Sequence, residues 1–224
     1  PDLLFDETVE YAIRNGSAAL DVFGFVVLAG DFELVKQTLS IDDGDTSDPA
    51  TGAVDVDTFT ADALSLSLSN FGMFVGVGGS LVDDNVSTTT VTDVTDPAYT
   101  GDAVGFYIPS GASLDLVILQ DTTDKAKKYT GLQASVTDLA LVGVDGLTAT
   151  VSGNVQVNKG PAAGRLDWTA VTGAGNELPD VTLDFDETVE LAIRNGSAAL
   201  DVFGFVVLAG DFELVKQTLD INDG

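Results

Sequence analysis

The chain has 224 residues, with 36 Asp and Glu against 9 Lys and Arg for a formal net charge of −27, and it contains neither His nor Cys. Those counts exclude disulfides, thiolate nucleophiles and Cys-ligated metal sites, and they remove the side chain most used as a base near neutral pH. The charge opposes binding to nucleic acid or to an anionic leaflet, while 45% hydrophobic residues supply enough apolar surface for a core.

The first predicted element is a hairpin over residues 3–36, turning at Asn15-Gly16, because Asn-Gly suits the positive φ angles of a type I′ turn. That turn sets Ile13 opposite Ala18, Tyr11 opposite Leu20 and Val9 opposite Val22, apolar against apolar. Further on, Phe23, Phe25 and Val27 alternate with Val22, Val26 and Leu28, a pattern that predicts cover on both faces. The nearly apolar run Val22 to Gly30 is far short of the roughly 20 residues a membrane-spanning helix needs.

Further strands are predicted over 62–82, 103–120 and 132–158. Leu64 to Ser69 alternate Leu with Ser, as a strand with one wet face does. Phe71, Met73, Val75, Val77 and Leu81 share one parity, and Val104 to Ile118 keep another over a length of roughly 50 Å, at about 3.3 Å per residue. Gly30, Gly78-Gly79 and Gly153 each interrupt an alternating run, and parity favours strands that run through them, bent or bulged. Asp121–Tyr129 is predicted to form one helical turn, and the Gly- and Ala-rich stretch 160–180, bounded by Pro161 and Pro179, a linker.

After the linker the sequence begins again. Residues 185–224 repeat 5–44 at 37 of 40 positions, the differences being Tyr11/Leu191, Ser40/Asp220 and Asp42/Asn222. Residues 1–180 are therefore expected to be one complete unit and 181–224 the start of the next, in a tandem array with a period of about 180. The lack of an initiating Met and of a signal-peptide pattern fits an excerpt from something longer. The expected fold is all-β, with long antiparallel strands in an elongated, curved sandwich or flattened barrel.

Two phrases, Leu200-Asp201-Val202-Phe203-Gly204-Phe205 and Leu141-Val142-Gly143-Val144-Asp145-Gly146-Leu147, resemble recurring lines in giant tandem-repeat, adhesin-like extracellular proteins of bacteria. The resemblance implies an extracellular or cell-surface, non-enzymatic and often calcium-loaded array. The glycine-aspartate nonapeptides of the related secreted toxins and adhesins are absent.

The candidate metal site is the loop with Asp42, Asp43, Asp45 and Asp48, whose clustered carboxylates suit calcium, a cation that takes six to eight oxygens. Its spacing is not that of an EF-hand. A pair of carboxylates can hydrolyse a glycosidic bond, but among 36 acids close pairs arise by chance, and Trp168 is the chain's one Trp for stacking on a sugar. No catalytic residue is assigned. Lys125, Lys127 and Lys128 hold a third of the basic residues and could dock on an acidic neighbouring unit. Tyr11, Tyr99, Tyr107 and Tyr129 are scattered and read as strand packing, and Asn15, Asn85 and Asn195 match the glycosylation sequon.

The functional expectation is a structural segment of a stalk, fibre or surface filament, with neighbouring copies of the same repeat as its partners. The alternative is a calcium-dependent adhesin module that binds a surface glycan. A third reading is an apolar conduit for acyl chains.

Overall fold

Long alternating runs give long strands, and the computed structural model, which describes residues 8–42, 58–82, 93–94, 102–162 and 164–218, has ten. They are β1 (Val9–Val22), β2 (Val26–Ile41), β3 (Phe59–Val77), β4 (Leu81–Val82), β5 (Asp93–Val94), β6 (Val104–Asp121), β7 (Lys128–Val142), β8 (Leu147–Lys159), β9 (Val189–Val202) and β10 (Val206–Gln217). The fold is all-β and antiparallel. Eight strands form one open sheet in the order β1-β2-β3-β6-β7-β8-β9-β10, and β4 and β5 make a separate ribbon. The second layer is supplied by two covers on one face.

The first hairpin turns eight residues later than the sequence suggests. β1 runs straight through Asn15-Gly16, and β1 and β2 pair Val22 with Val26, Leu20 with Leu28, Ala18 with Gly30 and Ile13 with Leu34. Asn-Gly tolerates positive φ in a bulge as readily as in a turn. Asn15 has φ 51 and sits where the register shifts, between Ile13 and Gly16. Phe32 lies over Gly16, where an added Cβ would come within 2.7 Å of the ring. The actual turn uses Phe23 (φ 52) and Gly24 (φ 70), closed by Phe25 N–H donating to Val22 O at 2.9 Å. Asp21 fixes it by accepting from Gly24 N at 2.7 Å. Phe23 and Phe25 are consequently exposed at the tip and not covered on both faces.

The Gly30 and Gly153 runs pass through their glycines, whereas the Val77 run ends at Gly78 and resumes as β4. Residues 132–158 hold parts of two strands, β7 and β8, joined at Gly143–Gly146. Asn15, Asn70, Asp138 and Asn195 all adopt φ near 50 (51, 50, 55 and 50) at register shifts in β1, β3, β7 and β9.

Pairing assigns the faces. Leu64, Leu66 and Leu68 meet Ile118, Leu116 and Leu114, and these meet Thr130, Leu132 and Ala134 in turn, so the apolar residues of successive strands mostly share one face. Phe71, Ile108 and Ala112 are buried near its middle, while Leu20, Val75, Phe106 and Val151 remain substantially exposed. On the other face, residues 165–185 cross the sheet at one end and pack Leu166, Trp168, Val171, Leu178 and Leu183 against strands from β2 to β9. The β4–β5 ribbon lies near β2, β3 and β6, and Leu81 packs on the Val27–Phe74 cluster.

The connection over 160–180 is therefore a packed one. A short helix, α1 (Trp168–Val171), is capped by Asp167, whose carboxylate accepts from Thr169 N at 2.8 Å. Trp168 is fully buried and donates its indole N–H to Asn158 Oδ1 at 2.9 Å. Gly131 leaves room for it, since a Cβ there would lie 2.6 Å from the indole ring. Where one helical turn was expected, Asp121 ends β6 and β7 begins at Lys128. The Asp121 carboxylate accepts from Thr123 N, Thr123 Oγ1 and Asp124 N, making a side-chain-stabilised turn instead.

Candidate functional site

Of the acidic-loop residues, Asp42 directly follows β2 and is exposed, while Asp43, Asp45 and Asp48 lie outside the described residues. Among the described residues, no three or more carboxylates converge as a metal ion requires. Asp62 is paired with Lys125, Nζ to Oδ2 at 2.9 Å. That hydrogen bond is the chief reason the Asp62 carboxyl titrates below its ordinary range. At least one of the three clustered lysines thus serves its own unit. Asp121 is likewise held down by its hydrogen bonds, foremost that from the Thr123 side chain, whereas burial pushes the Asp115 carboxyl up against an opposing bond from Ser67. Tyr129 is buried in the main core and Tyr107 packs against the smaller Phe74 cluster, as strand packing requires; Tyr11 is 46% exposed, and Tyr99 and Asn85 lie outside the described residues.

A polar row on the covered face ties the crossing segment down. Gln156 donates to Gln133 Oε1 and to Asp184 O, both at 3.2 Å, and accepts from Arg194 Nε at 3.0 Å. Gln133 Oε1 also accepts from Asp184 N at 3.0 Å. These bonds satisfy polar groups that burial would otherwise penalise. They give a structural role to residues that would otherwise suggest a binding cleft.

What the fold does present is a pair of open edges made from one sequence. Over the stretches described in both copies, 8–38 and 188–218, the only difference is Tyr11 for Leu191. The hairpins are built alike. Thr38 N donates to Thr8 O at 2.9 Å, and Thr218 N to Thr188 O at 3.0 Å. Lys36 pairs with Glu10, and Lys216 with Glu190. Gly24 N donates to Asp21 at 2.7 Å, and Gly204 N to Asp201 at 2.8 Å.

Their surroundings are opposite. The first hairpin offers β2 to β3 and leaves β1 at the edge; the second offers β9 to β8 and leaves β10 at the edge. At the tips, Gly24 O accepts from Gly79 N at 3.0 Å and Phe25 O from Gly76 N at 2.9 Å. Phe203 instead donates its N–H to Gly146 O and lays its ring where a Cβ on Gly146 would stand. Phe23, lacking that neighbour, is 93% exposed against 65% for Phe203.

Arg165 adds a clamp at the base of the second hairpin, donating from Nε to Glu187 O at 2.8 Å and from Nη2 to Thr218 Oγ1 at 2.8 Å. The Asp21-to-Gly24 spacing was the available signal for the true turn, and mid-strand Asn and Asp were the signal for the bulges. Among the described residues no helix is long and apolar enough to cross a membrane. Compared with known protein families, curated proteins and solved structures, the chain matches none.

Proposed function

We propose that the chain is a structural, non-catalytic segment of a large extracellular tandem-repeat protein, in which each period of about 180 residues adds strands to a shared sheet. One observation carries this reading: the hairpin that opens the sheet at β1–β2 recurs in sequence as the hairpin that ends it at β9–β10. From β1 to β8 the sheet contains six strands, so a period advances the array by about 29 Å at about 4.8 Å per strand. The long strands lie across that advance. They set the width of the filament, and the number of periods sets its reach. Calcium at the loop that starts with Asp42 would relieve part of the charge of −27 and stiffen the junction.

The test follows thermal unfolding of the 224-residue chain in calcium and in chelator, alongside capture on a panel of immobilised glycans. A melting temperature that rises with calcium, with magnesium and ionic-strength controls flat, and no glycan captured is the expected result. Glycan capture that a chelator reverses would replace the structural reading with that of an adhesin module.

A further inference from the structure

We infer that the two open edges are partners for each other: β10 of one copy of this chain pairs antiparallel with β1 of a second copy, end to end. Both strands are free on one side in every copy, so neither leaves a neighbour to make the joint. The inference goes beyond the structural reading above, because repetition lengthens one chain whereas this joint connects separate chains. Polarity allows it. The eight strands pair antiparallel throughout, which leaves β1 and β10 pointing opposite ways. A second copy shifted along the sheet therefore brings β10 antiparallel to β1, with the covered faces on the same side.

The register comes from a bulge that the sheet repeats. Facing β8, β9 sets Asn195 and Gly196 opposite the single residue Gly153, between the pairs Ser197–Ser152 and Arg194–Asn154. Facing β2, β3 sets Asn70 and Phe71 opposite Gly30, between Gly72–Ala29 and Ser69–Asp31. Each joint combines an Asn at positive φ on one strand with a Gly on the other. The free edges carry one part each. β1 has Asn15 (φ 51) followed by Gly16, and β10 has Gly210, where an added Cβ would meet nothing within 4 Å.

Two separate substitutions give one alignment. β10 follows the pattern of β8, with Leu208-Ala209-Gly210-Asp211-Phe212 matching Val151-Ser152-Gly153-Asn154-Val155. β1 repeats β9, so β10 in the place of β8 sets Leu208 opposite Ala18, Val206 opposite Leu20 and Asp211 opposite Arg14. β1 in the place of β3, aligned by Asn15 on Asn70, gives the same three pairs. The apolar pairs share a face, and Asp211 meets an opposite charge, as favourable cross-strand pairing requires. Like edges lack this fit: β10 against β10 offers Gly210 no bulged Asn, and β1 against β1 sets two bulged strands together. The joint is heterologous, head to tail, and does not close on itself. It uses the unpaired backbone groups that an open edge presents.

The experiment exploits the absence of cysteine. Full-length chains carrying Ala18→Cys or Leu20→Cys are mixed with full-length chains carrying Val206→Cys or Leu208→Cys, all at exposed positions. Oxidation is mild and in about 0.15 M salt, which screens the charge of −27 on each chain. The matched combinations, 18 with 208 and 20 with 206, should form mixed disulfides about ten-fold faster than 18 with 206 or 20 with 208, whose Cα atoms stand too far apart to bridge without backbone movement. The same four molecules appear in matched and crossed mixtures, so a poorly folded variant lowers both alike. Equal rates in all four mixtures, no mixed disulfide, or disulfides between like chains that outpace the matched ones would overturn the joint. That result would leave covalent repetition as the route by which the sheet grows, whereas glycan capture in the preceding experiment would remove the structural role itself.

Discussion

The hairpin β1–β2 and the hairpin β9–β10 differ at one residue over their described stretches, yet the strand that one buries is the strand the other exposes. Their internal geometry is common: the same turn with Phe and Gly at positive φ, the same Asp cap and the same Glu–Lys pair. Local sequence therefore determines the hairpin, while neighbours determine which face of it carries energy. Burial of apolar surface is the dominant favourable term, so identical substitutions in the two copies should have unequal effects.

The largest expected effect tests why β9 is the buried strand of its hairpin. Trp168→Ala removes the centre of the segment that covers β9 and leaves Asn158 Oδ1 without its indole donor. Urea unfolding should show a loss of about 3–5 kcal/mol, the range for truncating a large buried aromatic. Amide exchange should accelerate in β9 more than in β1, which the segment's main core does not include. Equal acceleration would mean that the crossing segment does not distinguish the copies.

Next in size is a matched pair. Val27→Ala should cost about 2 kcal/mol, because the side chain is fully buried in the Val27–Phe74 cluster. Val207→Ala, the same change in the other copy, should stay within about 0.5 kcal/mol, as exposed substitutions do. Similar losses at both would mean that something already covers β10 in solution. A smaller contrast sits at the turn. Gly24 and Gly204 have φ of 70 and 69, so Ala at either incurs the left-handed penalty of about 1–2 kcal/mol. Only at Gly24 would the new Cβ also meet a neighbour, Gly79 O at 2.8 Å, so Gly24→Ala should unfold at the lower urea concentration.

Much of the fold was legible from alternation. Leu64 to Ser69, Phe71 to Val77 and Val104 to Ile118 lie in strands whose apolar residues share a face as their parity implies, because a period of two leaves little freedom. The wet face, however, is not the polar one: Ser65 and Phe74 are buried while Val75, Val77 and Phe106 are exposed. The first turn was misplaced because Asn15 and Phe23 both adopt positive φ although only Asn favours it, so the stronger local signal lay in the bulge. Choosing between them needed the cross-strand fit of two strands of 14 and 16 residues, which no local pattern contains. The packed crossing segment was hidden for a related reason. Its Gly and Ala read as slack, and the pocket that takes Trp168 is formed by Gly131 and Asn158 from other strands. The paired edges, by contrast, followed from the 180-residue offset once the strand order was in hand.

The smallest expected effect is on the pH dependence contributed by the Glu–Lys pair of each hairpin. In the first hairpin, the hydrogen bond to Glu10 raises the Lys36 ammonium above its ordinary value. In the second, the bond from Lys216 lowers the Glu190 carboxyl. A raised lysine contributes stability that is fully present below its unfolded pKa, about 10.4, and is lost as pH climbs through the folded value. A lowered glutamate contributes stability that is present above its unfolded pKa, about 4.3, and is lost as pH falls through the folded value. Both pairs are exposed, so each should change the unfolding midpoint only slightly and less so in high salt. Lys36→Met should flatten the alkaline limb of the stability profile, and Glu190→Gln the acid limb. Unfolding midpoints of both variants across pH decide it; a limb that keeps its slope after its own substitution would show that the pair contributes nothing in that copy.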